Sequence, residues 1–205
     1  VGIDIFWWFY KVEPANFEAV QSEFQQAAQG VSRLPEVSIL APRPKAPPVT
    51  QDYIDSVVEG SLTGGDLTLH FCHEPFSSIA YQILETETPL LPGNCIEMVI
   101  LSRVAPPVIL LMGIGYERFS QLPGYLGNML IHPNEVEQTI ELVSQVLDVD
   151  WESYFEKAKL GLDYAGFDDH ATEDVSQVLQ ALPTALEQAK SEGTGLLAVT
   201  SWGIP

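Results

Sequence analysis

Ile3-Asp4-Ile5-Phe6-Trp7-Trp8-Phe9-Tyr10 is the stretch that decides the fold. It is β-branched and aromatic, the composition of a strand. Apart from Asp4 it is apolar at every position rather than at alternate ones, so the strand is expected to be covered on both faces. The aromatic run Trp7 to Tyr10 then belongs to a core. At the edge of a sheet, one of the tryptophans would instead anchor a partner.

A helix is expected immediately after it. Pro14 suits a first helical position, where a missing N–H costs nothing. Phe17, Val20, Phe24, Ala27 and Val31 keep helical spacing. Residues 33 to 50 contain Pro35, Pro42, Pro44, Pro47 and Pro48, which excludes regular structure and predicts an irregular arm. The arm carries Arg33, Arg43 and Lys45, three of the chain's 9 basic residues.

Beyond the arm, Thr50 is expected to cap a short helix through Glu59. Leu67, Leu69 and Phe71 alternate, which predicts a strand over 66–72. A helical stripe runs from Phe76 to Leu84 after Pro75. Residues 95–101 read as a buried strand. Val108 to Met112 is an apolar run that periodicity cannot assign, and the glycines from Gly113 to Gly127 predict a loop.

The last third reads as helical. Pro133 opens a helix with Val136, Ile140, Val143 and Leu147 inward. Asp150 is expected to cap the next helix, and Thr172 a longer one that ends at Gly193. Pro183 falls inside that last pattern, so a kinked helix or two short ones are expected. Gly195 to Trp202 reads as a closing strand. The fold class expected from this order is α+β. It is a single domain over 1–205, with a mostly antiparallel sheet packed with helices.

The order of elements resembles the YfbM-like family of uncharacterised bacterial proteins. The likeness rests on four pieces. These are Gly2-Ile3-Asp4-Ile5 leading through Tyr10, Val12 and Pro14 into a helix; Pro107-Val108-Ile109-Leu110-Leu111-Met112-Gly113; Leu130-Ile131-His132-Pro133-Asn134-Glu135-Val136, with His132 where the family has Thr; and the acidic C-terminal helix, glycine and closing strand. It spans residues 1–29 and roughly 104–201. The resemblance implies a compact α+β fold and brings no catalytic residue with it.

Charge bounds the function. The chain's 205 residues include 28 acidic and 9 basic ones, for a net charge of −19. This argues against binding nucleic-acid backbones or anionic lipid. No apolar run approaches the ~20 residues that cross a bilayer, and the first residues lack a basic region before the apolar stretch. With only Cys72 and Cys95, no disulfide framework is expected, and the reading is cytoplasmic. Residues 135–192 hold Glu137, Glu141, Asp168, Asp169 and ten further carboxylates, against Lys157, Lys159 and Lys190. Amphipathic helices there would turn those charges to solvent. The leading expectation is a non-catalytic interaction module, of inhibitor or immunity type, that meets a basic partner through this surface.

A metal-dependent hydrolase is the alternative. His70-Phe71-Cys72-His73-Glu74 is a metal-like cluster, but zinc needs three or four converging ligands. On a strand, His70 and Cys72 share a face while His73 points away. Cys95, His132, Asp168, Asp169 or His170 would have to supply the rest. Cys72 beside His73 is a poor thiol–imidazole pair for the same reason. Asp168, Asp169 and His170 with Glu173 and Asp174 lack the spacing of a calcium loop. Gly113-Ile114-Gly115 lacks the third glycine of a dinucleotide fingerprint. No cofactor is expected.

Overall fold

The computed structural model describes residues 4–29, 51–60, 68, 71–72, 95–163 and 171–202. The arm 33–50, the helix expected after Pro75 and the segment holding Asp168, Asp169 and His170 lie outside them.

The opening strand, β1 (Asp4–Val12), is buried from Ile5 to Tyr10 on both faces. It lies inside a four-stranded antiparallel sheet with β2 (Cys95–Ser102), β3 (Met129–Ile131) and β4 (Gly195–Trp202), in the order β2-β1-β4-β3. The α+β class with an antiparallel sheet is as expected. Trp7 pairs with Val99 on one side and Thr200 on the other, which fixes the register. A one-residue slip would exchange the two faces of every strand.

The Ile5, Trp7 and Phe9 face meets the helical layer. Trp7 Nε1 donates to Gly127 O at 2.9 Å, and a Cβ on Gly127 would strike Pro107. That proline belongs to α3 (Pro106–Ile114), whose residues are all buried. A helix that is apolar all round has no periodic signature. Its sequence therefore reads as an unassignable run followed by a loop, whereas the helix continues through Gly113. Gly115, at φ 79°, ends it, and the short α4 (Tyr116–Phe119) follows.

On the opposite face Phe6, Trp8 and Tyr10 stack along the strand, with centroids 5.1 and 6.1 Å apart. Trp8 Nε1 finds Ser201 Oγ at 2.9 Å. Here α1 (Phe17–Gln29), entered through the 3-10 turn Pro14–Asn16, brings Phe17 against Gly195 and edge-on to His132. The helix α2 (Gln51–Val58) instead joins the helical layer, packing on α4 and burying Ile54.

Two expectations about strands are corrected. Thr68 and Phe71 are helical, and Cys72 N–H donates to Thr68 O at 3.1 Å, so the described residues of 66–72 do not form the expected strand. Among the described residues of this segment Thr68, Phe71 and Cys72 are buried, and they have helical spacing, with a polar Thr at the first of them. The strand β2, expected to be buried, is an edge strand among the described residues: Val99 and Leu101 are buried, while Ile100 is 42% exposed.

The C-terminal helices are α5 (Val136–Val146), α6 (Trp151–Asp163) and α7 (Ala171–Glu192). Asp150 caps α6, its Oδ1 accepting from Ser153 N at 2.8 Å. Thr172 is the second residue of α7 rather than its cap, and Pro183 is accommodated inside one helix. The helices α3 and α6 approach closely at two glycines: a Cβ on Gly113 would lie 2.1 Å from Tyr154 Cε2, and one on Gly161 would lie 2.7 Å from Ile109 Cδ1.

Candidate interaction surface

The acidic surface starts at the entry to α5. His132 N-caps the 3-10 turn Pro133–Glu135: its Nδ1 accepts from Asn134 N at 3.1 Å, while Glu135 reaches back to His132 N at 3.4 Å. The imidazole thus fills the role that a Thr or Ser hydroxyl has in a capping box. This sets the rotation of α5. Val136, Thr139, Val143 and Val146 turn inward, leaving Glu137 and Glu141, one turn apart, exposed.

Against α5 lies the end of α7. Lys190 Nζ approaches Glu137 Oε1 at 2.9 Å, with the Glu137 side chain 75% exposed. Glu137 first, then Glu187 and Glu141, raise the Lys190 ammonium above its ordinary value. Glu137 contacts the cation while Glu187 and Glu141 act on it through space, so the cluster keeps a net negative charge. Sequence reasoning found Glu137 and Glu141 but missed Glu187. The three-residue step from Glu187 to Lys190 on a helical pattern was the available signal. At the same end of α7, Lys11 pairs with Glu192 at 2.5 Å, raising the ammonium and lowering the carboxyl. Asp168 and Asp169 lie outside the described residues, so the surface as described consists of Glu137, Glu141 and Glu187 around Lys190.

Of the metal candidates, His70 and His73 also lie outside the described residues. Cys72 is buried, and burial pushes its thiol well up, which keeps it protonated. Its carbonyl accepts from Trp202 Nε1 at 3.1 Å. Trp202 pairs with Ile5, whereas Cys95 pairs with Tyr10 at the far end of β1. Five residue steps along the strand separate those ends, about 16 Å at ~3.3 Å per step. Both thiols are free. His132 caps its turn near Gly195, also at the far end from Cys72. Neither Cys95 nor His132 therefore converges on Cys72, and among the described residues no group of three or more His, Cys, Asp or Glu is arranged to hold a metal.

Asn128 is the central buried polar group. Its Oδ1 accepts from Thr200 N at 2.8 Å, and its Nδ2 donates to Phe71 O at 3.4 Å and Tyr125 O at 3.3 Å. It pins the Phe71–Cys72 turn and the Tyr125 turn to β4, a structural task that leaves no free group for chemistry.

No protein-family model matches the chain, and no curated protein or solved structure matches it. Among the described residues no helix is long and apolar enough to cross a membrane.

Proposed function

We propose that the protein is a non-catalytic interaction module whose α5–α7 face receives a basic protein. One observation carries the reading: Lys190 contacts Glu137 and also feels Glu187 and Glu141 across two helices, so one cation stands against three carboxylates. Exposed carboxylates contribute little to stability. Grouped on one face, they create a field that steers a cationic partner inward and repels nucleic acid. The net charge of −19 extends that field beyond the patch. An inhibitor or immunity-type role suits such a surface, as does a cytoplasmic setting for a chain with two free thiols. Kinship with the YfbM-like proteins belongs to the same proposal.

The test is capture of basic proteins at low salt by the native chain and by a variant carrying Glu137→Gln, Glu141→Gln, Asp168→Asn and Asp169→Asn. The native chain is expected to retain a cationic partner that the variant loses. Equal retention by both would remove the acidic face from the account. The alternative, a metal-dependent hydrolase built around His70 and Cys72, would take first place if the purified protein carried stoichiometric zinc that a His70→Ala change released.

A further inference from the structure

The edge of β2 carries an inference of its own. In an antiparallel ladder the N–H and C=O of a residue point the same way, and that direction alternates along the strand. Met98 marks the phase. Its N–H donates to Glu97 Oε1 at 3.2 Å, and its C=O accepts from Gln177 Nε2 of α7 at 3.4 Å. Met98 therefore turns its main chain away from β1, and Ile100, two residues on, does the same. At Met98 two side chains stand where the main chain of a neighbouring strand would bond. At Ile100 none does among the described residues, and its side chain is 42% exposed beside Phe6.

Unblocked edges are templates for strand addition, and proteins that avoid it place Lys, Pro or a bulge there. Here β2 has neither Lys nor Pro, and its bulge lies at the Cys95 end, away from Ile100. The charged side chains beside the edge are acidic: Glu97, and Asp4, which accepts from Ser102 Oγ. Arg103, exposed just past the strand, limits the favourable stretch to Cys95–Ser102.

We propose that the β2 edge docks an extended segment of a cationic partner in which apolar residues alternate with Lys or Arg. The incoming main chain replaces the Glu97 and Gln177 bonds at Met98 and satisfies Ile100. The partner's cations then meet Glu97 on the Phe9 face, while an apolar side chain covers Ile100 on the opposite face. A second copy of this chain is the weaker occupant, because each copy brings a net charge of −19. The proposal rests on the reading of a basic partner and adds where its main chain binds.

The probe is an octapeptide alternating lysine and valine, added to the full chain at low salt. Binding is expected to slow hydrogen exchange of the Ile100 amide on the order of tenfold. Glu97→Gln should weaken binding about threefold, the effect of one exposed charge pair, whereas Asp4→Asn, on the face of Ile100, should leave it unchanged. Ile100→Lys, at an exposed position that leaves the core intact, should abolish it. So should N-methylation of the peptide amides that face β2. Absence of binding, unchanged exchange at Ile100 under saturating peptide, or equal binding of the N-methylated peptide would each overturn the proposal. So would Ile100 protection without peptide in a sedimenting dimer. If the peptide instead perturbs only Glu137 and Glu141, edge docking fails while the α5–α7 reading stands.

Discussion

Gly113→Ala tests the packing that holds the helical layer together. In an exposed helix this substitution is stabilising by about 1 kcal/mol, because Gly is the poorer helix former. Here the new Cβ would lie 2.1 Å from Tyr154 Cε2 and 2.3 Å from Cδ2, against the ~3.5–4.0 Å of an ordinary carbon contact. Tyr154 is 1% exposed, and its hydroxyl reaches Val175 O on α7 at 3.4 Å, so the ring cannot swing clear. The helix α6 must retreat from α3 by more than an ångström. Overpacking of this kind costs about 1–3 kcal/mol, and this overlap belongs at the upper end. After the propensity gain, the net loss is about 2 kcal/mol. With a urea slope of about 2 kcal/mol per molar, the unfolding midpoint should fall by about 1 M. Adding Tyr154→Leu removes the colliding ring atoms, so the double variant should lose less than the sum of the single losses. A Gly113→Ala midpoint at or above that of the native chain would show that α3 and α6 do not meet as described.

Three further outcomes follow from the buried polar groups. Asn128→Ala removes the donor to Phe71 O and Tyr125 O and should cost about 2–4 kcal/mol, read as a lower urea midpoint and faster exchange near Cys72. Tyr10→Phe should raise stability by about 1 kcal/mol, because the Tyr10 hydroxyl is buried without a partner among the described residues. Burial holds the Cys72, Tyr10 and Tyr154 protons above their ordinary values of 9.0 for Cys and 10.0 for Tyr. The unfolded chain releases these protons first, so stability should be intact below pH 9 and fall as pH rises beyond it, by about 1.4 kcal/mol per group per pH unit. Cys72→Ala should reduce that slope in urea titrations between pH 8 and 10.5.

How much of this was legible depended on the kind of signal. The strand β1 was readable because its residues carry strand composition whatever the context, and α5, α6 and α7 because each has one apolar stripe. The helix α3 was hidden by its own burial: nine apolar positions in a row leave no period to detect. The 66–72 stretch misled because Leu67, Leu69 and Phe71 alternate in hydropathy, while among the described residues Thr68, Phe71 and Cys72 are buried at helical spacing. Pro183 was tolerated because the buried Leu182 and Leu186 on either side hold α7 in one piece. At the candidate surface, the α5 period exposed Glu137 and Glu141. Their meeting with Glu187 and Lys190 required α5 to pack on α7, which no local pattern encodes. Strand order is equally non-local, so nothing in Cys95–Ser102 marked it as an edge.

The central claim is that the α5–α7 carboxylates guide a basic partner. Stopped-flow association of that partner, measured across ionic strength with the native chain and with Glu137→Gln/Glu141→Gln/Glu187→Gln, tests it most directly. The account predicts a native on-rate that falls steeply with salt from the steered range near 10⁸ M⁻¹s⁻¹ toward about 10⁵–10⁶ M⁻¹s⁻¹, and a variant that is already slow at low salt with unchanged stability. An on-rate that changes neither with salt nor with the three substitutions would contradict it and leave the acidic face a solubility device.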